Sequence, residues 1–477
     1  MIREQMRKLI AGVGVNASFD VVSIDGGERL LATPLKAAEL SAAVLGAQAA
    51  LICEIWRMRT GRRQTVGLDL EGAALALQSV FHQRQWKYPI ALTEPRYPTV
   101  DIYETGDGRR VMINGGYPEL RDSLLDLLQC ADSKEAVCAA MKERTASDLE
   151  DAATPEEAGA KKAICAVMVR TPSEWLAHQQ GDVLARTPVV EIERLSDGPK
   201  VDFPPVSKLT PPTGVRPLSG IRVLDLTHVI AGPTCAKTLA EQGATVLHVY
   251  GPTRPQLQRF DMDTGHGKLS TFLDLKEDAE DRARLYELIK SADVFSESYR
   301  PGVMARLGFG PEELASVKPG IVIVSVSCFG FAGPWAGRRG FEQLAQAATG
   351  IATVQGTEKA PQLALSFYPN DYITGYLAAL GTLAGLIRRA CEGGSYHVRV
   401  SLCRTAMCLL EQGRNEPAPA QAKVPAATLA RYMRERDSAL GRLHYLGPVL
   451  RYSETPSYWD LPPSPLGAHP PRWPDWA

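Results

Sequence analysis

The sequence predicts an α/β protein built on a doubly wound parallel sheet. In the second half of the chain, short runs rich in β-branched residues alternate with helical segments that Gly or Pro residues bound. This alternation is typical of β-α-β units, in which consecutive strands run parallel. At 477 residues the chain is also too long for one ordinary hydrophobic core, so we expect at least two domains.

The first β-α-β unit opens with "IRVLDL", a short apolar strand. The helix "GPTCAKTLAEQG" has a Gly-Pro start and a Gly stop, and "ATVLHVY" is the second strand. The runs "DVFSES" and "IVIVSVS" continue the sheet, with helical segments such as "EDRARLYELIKSA" between them. The turn after the first strand reads "THVIAGPT", so the G-x-G-x-x-G of a dinucleotide site is absent.

A segment rich in Pro, Gly and Ser, residues 195–216, reads as a linker. It separates a mixed region at 1–194 from the clearer α/β region at 217–412. A Pro-rich segment at 413–477 follows. We expect its end, "LPPSPLGAHPPRWPDWA", to be extended and to lie on another surface of the protein.

Composition and charge narrow the possible functions. Charged residues make up 22% and the formal net charge is −1, so nothing indicates binding to nucleic acid or to a membrane surface. The N-terminus lacks the apolar core of a signal peptide, and no apolar run reaches the length that spans a bilayer. Nine cysteines without a C-x-x-C pair are best explained as buried reduced thiols, and the histidine spacing argues against a metal site. We expect a soluble cytoplasmic protein.

One aspartate, Asp371, comes directly before the apolar helix in "YPNDYITGYLAALGTLAGLIRR". Aspartate is a common N-cap residue, and from the residues alone this role is the more frequent one. The positive end of a helix also stabilises a carboxylate as the anion, which would keep Asp371 deprotonated and able to attack a carbonyl. Gly375 and Gly381 on the helix allow other backbone or a ligand to approach closely.

A weak internal repeat relates this helix to the N-terminal region. Two segments each give a carboxylate, a helix of small and apolar residues, a basic turn with Gly and an alternating strand. With Val66 aligned on Val398, Glu39 falls opposite Asp371. Many α/β proteins contain such a succession of elements, but the shared order and length favour a partial duplication.

Basic residues near predicted strand ends are candidates for an anion site. "SESYRPGVMARLGFG" follows a strand, at the edge where open α/β sheets bind ligands. Arg300 and Arg306 could hold phosphate through charge-assisted hydrogen bonds, and Tyr299 could cover a ring. Two solvated arginines near a helix start are an equal alternative. Lys268 and Lys276 lie near another strand end, where single lysines are usually only surface residues.

Taken in order, these motifs resemble the class III CoA-transferases, a family that includes formyl-CoA transferase, carnitine CoA-transferase and α-methylacyl-CoA racemase. The resemblance covers most of residues 217–412. It rests on "PLSGIRVLDLTHVIAGPTCAKTLAEQGATVLHVYG", on "DVFSESYRPGVMARLGFGPEELASVKPGIVIVSVSCFGFAGPWAGRRGFEQLAQAATG" and on the helix after Asp371. It implies a Rossmann-like large domain, a smaller α+β domain and a homodimer of two interlocked chains.

The resemblance also implies a role for each candidate site residue. Asp371 would attack an acyl-CoA thioester and then carry CoA as an aspartyl thioester. The substrates would be an acyl-CoA and a carboxylic acid, with no permanently bound cofactor and no metal. The family's CoA-binding positions fall on Val229, Ile230, Ala231, Leu273, Lys276, Ser298, Tyr299, Arg300 and Arg306.

Departures from the family pattern leave alternatives open. Ile230 replaces a glutamine beside the thioester, which makes a very small acid such as oxalate a doubtful substrate. No histidine occurs between Arg300 and Asp371, and this disfavours a racemase or isomerase. A non-catalytic CoA-binding protein is a third alternative. Aromatic residues near the site indicate a larger or less polar acyl chain: Phe329, Phe331, Trp335, Phe341 and Phe367.

The domain order is the other departure. In the family the small domain usually follows the helix that bears the nucleophile, whereas here residues 35–194 resemble it. "YPTVDIYETGDGRRVMINGGYPELRDSLLDLLQC" resembles its strand pair and helix. We interpret the N-terminal region as a fused partial copy, completed by 413–477, in which Glu39 is the inactive counterpart of Asp371.

Overall fold

The structure is a computed structural model that describes residues 1–89, 97–153, 164–209, 214–364, 366–415 and 424–475. The first part of the chain forms α1 (Ile2–Gly12), β1 (Val22–Asp25), α2 (Ala37–Thr60), β2 (Val66–Asp69), α3 (Leu70–Ala76), a 3₁₀ turn (Ser79–Phe81), β3 (Arg84–Gln85), β4 (Tyr88–Pro89), β5 (Val100–Glu104), β6 (Arg110–Asn114), α4 (Pro118–Leu128), α5 (Lys134–Lys142), α6 (Ala146–Asp151), β7 (Ala166–Met168), α7 (Pro172–Ala177), α8 (Gln179–Ala185) and β8 (Glu191–Ser196).

The second part begins with a 3₁₀ turn (Val206–Lys208) and continues with β9 (Arg222–Leu226), α9 (Ala231–Glu241), β10 (Thr245–Tyr250), α10 (Gln258–Thr264), β11 (Lys268–Phe272), α11 (Ala279–Ile289), β12 (Val294–Glu297), α12 (Val303–Arg306), α13 (Pro311–Val317), β13 (Val322–Ser327), α14 (Glu342–Thr349), α15 (Ile351–Gln355), α16 (Pro369–Glu392), β14 (Ser395–Ser401), α17 (Leu402–Glu411), α18 (Ala426–Tyr432), β15 (Met433–Ser438), β16 (Gly441–Leu446) and β17 (Arg451–Tyr452).

The main sheet has the strand order β11-β10-β9-β12-β13-β14-β8. Strands β9 to β14 pair in parallel, and β8 pairs antiparallel with β14. The predicted α/β fold with a parallel sheet is therefore confirmed. The direction of strand addition reverses between the neighbours β9 and β12. The crevice at the carboxyl ends of strands at such a switch point is where open α/β sheets bind ligands.

The segment predicted as a linker, 195–216, is packed against the rest of the protein. Its first two residues end β8, so the boundary drawn at 194 cuts a strand of the main sheet. Phe203 belongs to the hydrophobic core, and Arg216 is buried, where it pairs with Asp460. A Pro-rich composition indicates that a segment lacks helical or strand periodicity. It does not indicate which other residues the segment contacts.

The C-terminal segment and the N-terminal region share two small sheets. In these sheets β17 pairs with β2, and β16 pairs with β3. A third small sheet, β5-β6-β7, is antiparallel and has its own apolar core with α4, α5 and α6. The described part of the Pro-rich tail contains turns rather than the expected extended chain, and it lies against the edge strand β11, where the His469 backbone N–H donates to the Ser270 carbonyl at 2.8 Å.

The internal repeat is also present in the geometry of the two long helices. Helices α2 and α16 each contain 24 residues, and each is followed by a glycine with positive φ, Gly61 at 74° and Gly393 at 76°. The helices α3 and α17 are then capped by Asp69 and Ser401, each of which accepts a hydrogen bond from the third residue of its helix. Each pair of corresponding positions has the same separation in sequence as Val66 and Val398, on which the repeat is aligned.

Helix α2 corrects one expectation from the sequence. By length and composition it could cross a membrane, with a mean hydropathy of 1.5, whereas the sequence analysis found no run long enough. However, 83% of its apolar window is buried inside the protein. The Gln48 side-chain amide donates to the Tyr376 carbonyl on α16. Its apolar composition is therefore accounted for by core packing.

Lys268 also differs from expectation, because it is buried rather than a surface residue. Its ammonium lies 2.7 Å from Asp225, and the two side chains are 2% and 0% exposed. It also donates to the Pro233 carbonyl at 2.9 Å. This ion pair lies beneath the start of α9.

We expect Lys268→Ala to lower the free energy of unfolding by about 3–5 kcal/mol, because it leaves a buried carboxylate without its counter-ion. Urea unfolding monitored by circular dichroism measures the change. Lys276→Ala is the matched control, since that side chain is 86% exposed, and its effect should stay within about 0.5 kcal/mol. An equal effect of the two substitutions would show that the buried pair contributes nothing specific.

Candidate active site

The candidate site lies where β9 and β12 end side by side, at the switch point of the sheet. The backbone N–H of His228 donates to the Ser298 hydroxyl at 3.0 Å, and the His228 ring forms a hydrogen bond with the Tyr299 hydroxyl at 3.2 Å. The segments "THVIAGPT" and "SESYRPG", which the sequence predicted separately, are thus in direct contact. This placement brings Val229, Ile230 and Ala231 beside Ser298 and Tyr299.

The turn that leads into α9 is strained. Val229 has a φ of 69°, which is a rare conformation for a β-branched residue and costs on the order of 1–3 kcal/mol. Ile230 is the N-cap of α9, and no side chain caps this helix. The N–H groups of Ala231 and Gly232 in the first turn have no acceptor within the helix. Such groups can stabilise a developing oxyanion.

Helix α16 packs with its backbone directly on the start of α9. A Cβ atom added to Gly375 would collide with the Ala231 carbonyl and with Thr234. Asp371 lies one turn earlier on the same face of α16, beside the N-terminus of α9. Tyr368, not Asp371, is the N-cap of α16, and Asp371 belongs to the first helical turn. The capping interpretation of Asp371 is therefore wrong.

Glu342 performs the capping instead, and the sequence analysis did not identify it. Its carboxylate accepts hydrogen bonds from the backbone N–H of Asp371 at 2.8 Å, from that of Asn370 at 3.2 Å, and from the Gln346 side chain at 2.8 Å. Glu342 is 3% exposed and Asp371 is 6% exposed. No local pattern in "GFEQL" marks this residue, because its partner is distant in sequence.

Burial and proximity change the protonation of this carboxylate pair. Burial, followed by the charge of Glu342, raises the pKa of Asp371 well above its usual value. Burial also raises the pKa of Glu342 to about 7. The prediction that the helix end keeps Asp371 ionised is thus wrong for this structure, because a helix terminus contributes only about 0.3–1 kcal/mol.

We expect Asp371→Asn to stabilise the protein at pH 8 and to change its stability little at pH 4. The unfolded carboxyl ionises near 3.8, so the stability that the wild-type group contributes is lost as the pH rises from there through the raised folded value. The asparagine has no such loss. Thermal unfolding at both pH values measures the difference. Glu312→Gln, an exposed site on α13, is the control, and an identical pattern there would contradict the assignment.

Several arginines lie near Tyr299. Burial, together with the charges of Arg339 and Arg306, lowers the pKa of Arg300, so these three guanidinium groups lie close together. Arg254 lies over the Tyr299 ring at 5.6 Å from its centroid. Mutual repulsion of this kind favours a bound anion. Arg254 and Arg339 were missed from the sequence, although "AGRRGFE" provides a Gly-rich loop with two arginines.

Two candidate residues lie further along the sheet. Leu273 and Lys276 follow β11, which β10 separates from β9. Leu273 is part of a hydrophobic core and donates its N–H to the Tyr250 carbonyl, while Lys276 pairs with Glu277 at the surface. Within the described residues, no group of three or more His, Cys, Asp or Glu side chains could hold a metal ion.

Comparisons with known proteins identify the family. The sequence model of CoA-transferase family III matches residues 218–428. An acyl-CoA transferase of Gibberella moniliformis is 31% identical over 445 residues, which cover 81% of this chain and 76% of that relative. The chain belongs to CoA-transferase family III.

Other family members match shorter regions. The acetyl-coenzyme A transferase nodX of Hypoxylon pulicicidum is 34% identical over 63% of this chain and 52% of that protein. A formyl-CoA:oxalate CoA-transferase of Rhodopseudomonas palustris is 36% identical over 39% of this chain and 46% of that protein. The chain thus spans about half the length of these two relatives. The crystal structure of Rv3272 from Mycobacterium tuberculosis is 30% identical, with a TM-score of 0.39 over 43% of this chain and 61% of that chain.

Proposed function

We propose that this protein transfers CoA from an acyl-CoA to a carboxylic acid through covalent intermediates on Asp371. The observation that carries the proposal is the buried pair of Asp371 and Glu342 beside the uncapped N-terminus of α9. Membership of the family and the arginines near Tyr299 support it. We interpret 217–412 as a Rossmann-like CoA-binding domain.

In the first half-reaction, ionised Asp371 attacks the thioester carbonyl carbon of the donor. The C–S bond breaks, CoA leaves as the thiolate, and a mixed anhydride remains on Asp371. The N–H groups of Ala231 and Gly232 stabilise the oxyanion that forms on the way. The thiolate then attacks the aspartyl carbonyl of the anhydride, so the donor acid leaves as its carboxylate and Asp371 carries CoA as a thioester.

In the second half-reaction, the acceptor carboxylate attacks the aspartyl thioester and displaces the CoA thiolate. The thiolate attacks the acyl carbonyl of the new anhydride, which releases the new acyl-CoA and free Asp371. No electron pair or proton is gained or lost over the cycle. Glu342 fixes the backbone at Asn370 and Asp371 through its hydrogen bonds, and its charge contributes to the raised pKa of Asp371.

Substitution of Arg306 tests the proposal that this arginine binds a phosphate group of CoA. We expect Arg306→Ala to raise the dissociation constant for CoA at least several-fold, because each charge-assisted phosphate contact contributes roughly 1.5–3 kcal/mol. Calorimetric titration with CoA measures the change, and the loss of affinity should shrink at high salt. Arg284→Ala, on α11, is the control. An unchanged constant for Arg306→Ala would remove this residue from the site.

The N-terminal region is, in this proposal, a fused partial copy without its own CoA site. Glu39 is only partly buried, and its carboxylate accepts from Asn415 at 3.4 Å. A homodimer that survives dilution to nanomolar concentration and a cytoplasmic location remain predictions, and sedimentation tests the first of them.

The decisive experiment is to incubate the protein with a panel of acyl-CoA donors, add hydroxylamine, and map the modified peptide by mass spectrometry. A hydroxamate on Asp371 supports transfer through this residue. Exchange of the α-hydrogen of the acyl group with deuterium, without a hydroxamate, would support a racemase or isomerase instead. Bound CoA with neither reaction would support a non-catalytic CoA-binding protein.

A further inference from the structure

We propose that the turn at residues 114–117 closes the acyl-CoA site of its own chain, and that Tyr117 forms the wall against which the acyl group packs. This inference rests on the proposed function. It adds the N-terminal residues that would complete the site and the class of acyl group that would bind there. The turn joins β6 to α4 in the N-terminal region, which is remote in sequence from the CoA-binding segments.

The turn is held firmly against the helix that carries Glu342. The Asn114 side-chain amide donates to the Gln343 side chain at 3.2 Å, and its oxygen accepts from the Gly116 N–H at 2.9 Å. A Cβ atom at Gly115 would lie 2.7 Å from Thr99, so the turn packs closely on its own sheet. These contacts fix where Tyr117 lies.

Tyr117 stacks on Phe341, the residue directly before Glu342. The ring centroids are 5.8 Å apart and the planes differ by 24°. Both rings are only partly buried, so part of each is accessible to a ligand. Of the other aromatic residues expected near the acyl chain, Phe329, Trp335 and Phe367 are buried in the core. The Tyr117–Phe341 stack, together with partly buried Phe331, is therefore the aromatic surface that a substrate can reach.

The turn and two of the arginines lie close to the same residue, Cys165. The N–H of Asn114 donates to the Cys165 carbonyl at 2.9 Å. Burial raises the pKa of the Cys165 thiol to about 12, against the opposing charges of Arg339 and Arg300. Burial is also the main cause that raises the pKa of Tyr250 beyond its usual value, and Tyr117 adds to that shift. Arg300 and Arg339 thus lie near Cys165, to which the turn is hydrogen-bonded.

The residues of the proposed acyl-CoA site belong to a single chain. Asp371, Glu342 and the arginines come from the second half, and the aromatic wall with its turn comes from the first half. A donor bound with its phosphates at the arginines and its thioester at Asp371 would place its acyl group towards the Tyr117–Phe341 stack. An aromatic stack favours apolar or planar acyl groups over small charged ones. Closure of this kind does not depend on whether the protein dimerises.

Binding measurements test the role of Tyr117 independently of catalysis. In the Asp371→Asn background, which blocks turnover, we expect Tyr117→Ala to weaken octanoyl-CoA binding roughly tenfold and free CoA binding less than about twofold. Tyr286→Ala, an exposed tyrosine on α11, is the matched control and should change neither. An equal loss for both ligands, or no loss for octanoyl-CoA, would overturn the assignment. Because these measurements need no turnover, they stand even if transfer through Asp371 is disproved.

Co-expression of two variants distinguishes a site that is closed by its own chain from a site that is closed by a partner chain. Gly116→Trp places an indole in the cleft, and its folding is checked by thermal unfolding. A Gly116→Trp chain and an Asp371→Asn chain, carrying different affinity tags, are co-expressed and purified through both tags. If each site is closed by its own chain, the pair transfers no CoA. Recovery of about half of the wild-type rate would show closure by the partner and overturn the proposal. Failure to form any pair, with active wild-type monomer, would confirm closure within the chain.

Discussion

Asp371→Asn is expected to lower the rate of CoA transfer by several orders of magnitude while CoA binding and folding stay nearly intact. The amide has almost the same size and makes the same backbone contacts, but it cannot form the anhydride or the thioester on which the proposed reaction depends. Initial rates of acyl-CoA formation, measured with saturating donor and acceptor, report the effect. Calorimetric titration with CoA should give a dissociation constant within a few-fold of the wild-type value.

Glu39→Gln is the matched control, because Glu39 occupies the corresponding position on α2, the equivalent 24-residue helix. Turnover should remain within a few-fold of wild type. A hydroxamate mapped to Glu39, or an Asp371→Asn protein that retains most of its activity, would mean that the wrong copy of the repeat has been assigned as active.

Glu342→Gln is expected to lower kcat by roughly 10–100-fold and to move the acid limb of the pH profile of kcat/KM to lower pH. The rate falls because an amide cannot accept hydrogen bonds from both Asn370 and Asp371, so the nucleophile is less well held. The acid limb moves because the charge of Glu342 is the second cause, after burial, of the raised pKa of Asp371. Asp371 then ionises, and becomes reactive, at a lower pH.

The pH profile distinguishes this role from a purely structural one. A substitution that only loosens α16 would lower kcat at every pH without moving the limb. Glu312→Gln, at the exposed start of α13, should change neither quantity. A limb that stays in place for Glu342→Gln would show that the charge of Glu342 does not act on the nucleophile.

Some residues of the candidate site could be predicted from the sequence, because local sequence patterns identify them. Gly stops, β-branched runs and a Gly-Pro helix start predicted the strands and helices that bring Val229 and Ser298 to neighbouring strand ends. Asp371 was found because a carboxylate at the start of an apolar helix is a local pattern. The equal lengths of α2 and α16 likewise follow from a repeat that is visible in the residues.

Other residues could be assigned only from the folded chain. Glu342 and Lys268 each acquire their role from a partner that is distant in sequence, Asp371 and Asp225 respectively. Arg339 joins Arg300 through the tertiary arrangement of two loops. For Asp371 the sequence predicted the start of a long helix, which the structure has, but not the raised pKa, because a pKa depends on burial and on neighbouring charges.

The sequence by itself therefore determined the family and the parallel sheet, and it placed Asp371 at the start of a long apolar helix. Each of these is encoded in short runs whose spacing and residue types act locally. The tertiary structure alone decided which carboxylate caps α16, in which direction the pKa of Asp371 is shifted, and that an N-terminal turn packs on the helix that begins at Glu342. These properties depend on desolvation and on contacts between segments hundreds of residues apart, and no local pattern records them.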